Sequence, residues 1–87
     1  MKITKKNGNI TLYDDEKVIR SILRATAEVP EEQIGENEAA AIADLVFARL
    51  TLQNEVITTQ NVRDCLCAIL RERHLPLTAQ RYLAYKK

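Results

Sequence analysis

A chain of 87 residues with a formal net charge of +1 is sized for one folding unit. The near-balance of charge argues against a general nucleic-acid binder, which carries a marked basic excess, and no apolar run is long enough to span a bilayer. Two cysteines and one histidine are too few ligands for a protein-bound metal, so none is expected.

The chain opens with a hairpin reading over residues 2–13. Ile3, Ile10 and Leu12 supply apolar positions, Thr4 and Thr11 favour strand, and Asn7-Gly8 tolerates the positive φ of a tight turn. A first helix follows over 14–28. Asp14 is a good N-cap, the acids after it suit a helix start, and Val18, Ile19, Ile22, Leu23 and Thr26 recur at helical spacing. Pro30 stops it near Glu28.

A second helix spans 37–52, with Ile42, Leu45, Val46 and Leu50 as its stripe and Ala39, Ala43 and Phe47 flanking it. Gln53-Asn54-Glu55 reads as a loop. Thr58 or Thr59 caps a third helix over 58–73, whose stripe is Val62, Cys65, Leu66, Ile69 and Leu70. His74-Leu75-Pro76 is a break. A last helix over 77–86 turns Ala79, Tyr82 and Leu83 inward. The expected architecture is mainly α: a four-helix bundle capped by an N-terminal β-hairpin, in one domain covering 1–87. Cys65 and Cys67 point to different faces of the third helix and read as reduced thiols of a cytoplasmic protein.

Charge is unevenly placed. Lysines and arginines crowd both ends, and Glu28 to Glu38 makes an acidic middle. Two basic ends could converge on one anion if the termini meet. Lys5-Lys6 beside Asn7-Gly8 is the first candidate; adjacent lysines on a strand point to opposite faces, so one could face a ligand. The plainer reading is an edge strand guarded by lysines against aggregation. Lys17 lies near a helix start, where only a bound anion would make a cation favourable; the plainer reading is a surface lysine. Thr59 could bond a ligand while Thr58 caps, and Arg63 follows one turn later. Their plainer readings are a second cap and a weak surface ion pair. No nucleophile–base–acid set and no glycine-rich phosphate loop occurs, so the chain reads as a regulator rather than an enzyme.

Ile3-Thr4-Lys5-Lys6-Asn7-Gly8, then Tyr13-Asp14, then Lys17-Val18 with Ser21-Ile22 resembles the N-terminal signature of the ATP-cone domain. Ile57-Thr58-Thr59, Val62-Arg63-Asp64 and Leu70 are similar to that family's third-helix pattern, and Ala79, Tyr82 and Tyr85-Lys86 to its closing helix. The resemblance covers the whole chain and implies an allosteric regulatory domain of ribonucleotide reductases or of the bacterial repressor of their genes. It implies ATP or dATP as ligand, with or without Mg2+, a reductase domain or subunit as partner, and a change in oligomeric state as output. By position it implies Lys5, Lys6 and Lys17 at the phosphates, and Ile3, Tyr13 and Val18 around the base. Thr11 and Asp14 fall at the base edge, Thr59 and Arg63 at phosphate or sugar, and Lys87 at the closing C-terminus. Thr58-Thr59-Gln60 and the Tyr82/Tyr85 pair favour an anaerobic-type reductase cone. The chain departs from the family in Lys5-Lys6, where Lys-Arg is usual, and in Thr11, where a longer polar residue is common. Both a piece of a longer protein and a free-standing cone fit the sequence. Two alternatives remain: a small helical interaction or DNA-associated module, and a cone that kept the fold and lost its ligand.

Overall fold

The fold is described from a computed structural model, for residues 1–53 and 56–84. Four helices carry the bundle: α1 (Asp15–Thr26), α2 (Glu36–Thr51), α3 (Thr59–Glu72) and α4 (Pro76–Ala84). They pack in a ring, α1 against α2 and α4, and α3 against α2 and α4. The core is what the helical spacing dictates. Ile22, Ile42, Val46, Leu66, Ile69 and Leu70 are all essentially solvent-free. Leu83 departs from expectation: it is 37% exposed, and Thr78 takes the buried position on α4 beside Ala79 and Tyr82.

Three strands cover one end of the bundle: β1 (Lys2–Thr4), β2 (Ile10–Leu12) and β3 (Ile57–Thr58). They form one sheet in the order β2-β1-β3, with β1 antiparallel to β2 and parallel to β3. The expected hairpin is there, but β3 is an addition; two residues are too few to show strand periodicity. The hairpin's apolar assignment also needs correction. Thr11, not Ile10 or Leu12, is paired with the buried Ile3. Ile10 and Leu12 therefore point away from the core and are 64% and 68% exposed. With a side-chain period of two, the register alone decides this.

The turn is also wider than two residues. Gly8 N–H donates to the Lys5 carbonyl and Lys5 N–H to the Asn9 carbonyl, while Asn7 Oδ1 accepts from Asn9 N–H. Only Gly8 adopts a positive φ, 87°, so glycine is needed at that one position.

The connections are held by specific bonds. Asp14 caps α1, its carboxylate accepting from the N–H groups of Glu16 and Lys17. α1 ends at Thr26, two residues before the expected stop, and Pro30–Glu32 forms a 3-10 turn between α1 and α2. Thr26 Oγ1 donates to the Glu32 carbonyl, and Gln33 Nε2 donates to the carbonyls of Thr26 and Val29. The Glu32 carboxylate then reaches the start of α4, accepting from Leu77 N–H at 3.0 Å and Thr78 N–H at 2.7 Å. α3 ends in a left-handed residue, His74 (φ 64°), with Leu75 N–H on the Leu70 carbonyl and His74 N–H on the Arg71 carbonyl. That is a Schellman turn, and it gives His74 a backbone role.

Candidate functional site

The site begins with the pairing of β1 and β3. Their parallel register sets Ile3 beside Ile57 and Thr4 beside Thr58. The residues that follow, Lys5 on one strand and Thr59 on the other, are thereby delivered side by side from chain positions more than fifty apart. Thr58 caps α3: its hydroxyl accepts from Asn61 N–H, and Asn61 Oδ1 accepts from Thr58 N–H. Thr59 is left at the first turn, where the backbone N–H groups of a helix are open to an anion.

Two recesses adjoin at this point. The outer one, about 570 Å³, lies between the β1–β2 turn and the start of α3. Lys5, Lys6 and Asn7 form one wall, and Thr58, Thr59, Gln60 and Arg63 the other, with Thr4 between. The inner one, about 180 Å³, runs beneath the hairpin toward α1 and α4. Its apolar wall is Ile3, Leu12, Tyr13, Val18 and Val62; its polar groups include Thr11, Asp14, Lys17, Ser21 and Tyr82. Lys5, Thr59 and Arg63 line both recesses and mark the edge the two share.

Of the candidate residues, Ile3, Lys5, Thr11, Tyr13, Asp14, Lys17, Val18, Thr59 and Arg63 line the inner recess, and Lys6 lines the outer one. The structure thus brings ten of them to one cleft. Lys87 lies outside the described residues. The sequence reading left Thr4, Asn7 and Gln60 out of the site, along with Leu12, Ser21, Val62 and Tyr82. Gln60 and Val62 were legible in principle, as neighbours of Thr59 and Arg63 on α3; Tyr82 was not, because only the packing of α4 brings it in.

The electrostatics favour an anion. The ion pairs among the described residues are Arg49–Glu72 and Arg81–Glu28, neither in the cleft. Lys5, Lys6, Lys17 and Arg63 therefore stand around it without a paired carboxylate among those residues. Arg63 Nε is buried and has no hydrogen-bond partner among the described residues, so an acceptor placed beside it would be favoured. The acid in the cleft, Asp14, already spends one oxygen on the α1 cap.

The inner wall is held rigidly. The Tyr13 hydroxyl donates to the Ala43 carbonyl of α2 at 3.0 Å, and its ring packs on Phe47 with centroids 5.5 Å apart. Burial, with the Asp15 charge adding to it, pushes the Tyr13 phenol well above its ordinary range, so it stays a neutral donor. Burial likewise raises the Tyr82 hydroxyl, against an opposing effect of Arg63, and burial raises both cysteine thiols. Cys65 and Cys67 are protonated packing residues. No group of three metal-binding side chains occurs among the described residues, nor any helix long and apolar enough to cross a membrane.

A bundle whose sheet end gathers uncompensated cations, a helix N-terminus and an apolar recess is built to hold a ligand with an anionic end and a flat apolar end. Comparison with known families agrees. The chain belongs to the ATP-cone family: the family model described as the ATP cone domain matches residues 1–87. Comparison with curated proteins gives no match. Membership makes this chain a nucleotide-binding regulatory domain and not a catalytic one.

Proposed function

We propose that this cone binds ATP or dATP, with or without Mg2+, and converts occupancy into a change in the activity or oligomeric state of a ribonucleotide reductase. The reductase is of the anaerobic type, in the cytoplasm, joined to the cone in one chain or met as a separate subunit. The observation that carries this reading is that Lys5, Thr59 and Arg63 line both a cationic and an apolar recess. A nucleotide has the matching form. Its polyphosphate occupies the outer recess, among Lys5, Lys6, Arg63 and the first N–H groups of α3. Its base enters the inner recess between Ile3, Tyr13 and Val18, with Thr11 and Asp14 at the base edge. Lys17 approaches from α1. Each charge-assisted bond is worth about 1.5–3 kcal/mol, so the phosphates supply most of the affinity. Any Mg2+ arrives on the phosphates, in keeping with the metal's preference for phosphate oxygens and water.

Thermal unfolding tests this directly. At a hundredfold excess over Kd, a ligand that binds only the folded state adds about 2.7 kcal/mol. For a domain of this size that raises Tm by about 10–20 °C. ATP and dATP give the rise, GTP and AMP much less. Lys5→Ala weakens ATP binding by about 10- to 150-fold and leaves the unliganded Tm in place, because Lys5 is exposed. The absence of a shift with millimolar adenine nucleotide contradicts the proposal.

A further inference from the structure

Arg63 stands where the two recesses meet, and the way it is held there has a chemical logic of its own. Gln60 and Asp64 lie one helical turn apart on α3, with Arg63 between them in sequence. Gln60 Nε2 donates to Asp64 Oδ1 at 2.8 Å. That bond fixes which way the amide faces, because the reversed amide would set its carbonyl oxygen against a carboxylate. The Gln60 oxygen is therefore turned to Arg63, and Arg63 Nη1 donates to it at 3.2 Å. The result is a chain from carboxylate to amide to guanidinium, ending where both recesses are lined by Arg63.

A carboxylate bonded directly to Arg63 would orient the guanidinium and cancel its charge together. A neutral amide placed between them does the first without the second. Arg63 has no ion pair among the described residues, while its Nε is buried and unpartnered among them. Its fork is aimed by Gln60, with the Tyr82 hydroxyl as a second hydrogen-bonding neighbour, and no carboxylate among the described residues pairs its charge.

We propose that Gln60 is a positioning residue for nucleotide binding: anchored by Asp64, it presents a fully charged Arg63 to the phosphates and acts through Arg63. This rests on the reading of the cleft as a nucleotide site. The relay is orientational, so losing it weakens binding less than losing Arg63 itself. Replacing the amide with a carboxylate does more harm than deleting it, because it neutralises Arg63 and places a negative charge beside the phosphates.

The test is a double-mutant cycle read by ATP titration calorimetry on the wild-type chain, Gln60→Ala, Arg63→Ala and the double variant. Gln60→Ala raises the ATP Kd about fivefold, in the range of one ordinary hydrogen bond, and Arg63→Ala about 10- to 150-fold. In the Arg63→Ala background, Gln60→Ala has no further effect. Gln60→Glu raises Kd more than Gln60→Ala does. Unliganded Tm is measured for each variant; Gln60 is exposed, so Gln60→Ala leaves it unchanged. An equal Gln60 effect in both backgrounds means that Gln60 touches the ligand itself or acts elsewhere, and overturns the positioning role. A Gln60→Glu Kd at or below that of Gln60→Ala overturns it too. Failure of the wild-type chain to bind ATP, or an Arg63→Ala variant that binds as wild type does, instead overturns the nucleotide-site reading and this inference with it.

Discussion

The helical body and the sheet end of this molecule are built on opposite terms. In the body, branched side chains from four helices are withdrawn from water; Ile22, Ile42, Leu66 and Leu70 have no exposed surface at all. At the sheet end, strands of three, three and two residues contribute mainly Ile3 and Ile57 to the core. Ile10, Leu12 and Val56 at that end are left largely exposed, lysines flank them, and Arg63 Nε has no hydrogen-bond partner among the described residues. Apolar burial stabilises the first region. The second concentrates like charge around a cleft. Stability and recognition are thus separated along the molecule, joined through Tyr13, whose ring lines the inner recess while its hydroxyl bonds α2.

The separation can be broken by experiment, most sharply in the body. Leu66→Ala removes a solvent-free side chain and costs about 2–5 kcal/mol. The unliganded Tm falls by about 8–40 °C on the scale of about 4–8 °C per kcal/mol. The extra stabilisation given by ATP survives; calorimetric unfolding with and without ATP measures both. Loss of the ATP increment as well would show the two regions to be one cooperative unit.

A smaller effect sharpens the same division from the far end of the bundle. Glu32 supplies from a distance the cap that α4 lacks locally. Glu32→Ala lowers stability by about 1 kcal/mol, the usual scale of a lost cap, with ATP affinity unchanged. Burial works against the charged form of Glu32, but the N–H groups of Thr78 and Leu77 outweigh it and hold the carboxyl below its ordinary 4.5. A depressed folded-state value means the contribution is present above about pH 4.5 and fades as acid protonates the folded carboxylate. The gap in Tm between wild type and Glu32→Ala is therefore full at pH 7 and closes on acidification below 4.5. A gap that persisted there would assign the effect to packing.

Much of this was legible in the sequence. Helical spacing marked the four helices because each buries a stripe, as Ile42, Val46 and Leu50 do on α2. Asp14 and Thr58 could be read as caps from residue type and place. What escaped depended on pairing partners far away in the chain. β3 has meaning only beside β1, and the inward face of β2 only once Thr11 is set against Ile3. The same holds for the site. Lys5, Lys17 and Arg63 announced themselves by charge at suggestive positions, whereas Tyr82 entered through the packing of α4, and Gln60 through bonds to two neighbours that spacing allowed but did not require.

The central claim is that one nucleotide spans both recesses across their shared edge at Lys5, Thr59 and Arg63. Backbone amide resonances of the isotopically labelled chain, followed through an ATP titration, test it most directly. The account predicts that amides of Lys5, Lys6 and Thr58 to Gln60 move together with those of Thr11, Tyr13 and Val18, along one saturation curve, while α2 away from Ala43 stays still. Shifts confined to one recess, or separate curves for the two, would contradict it.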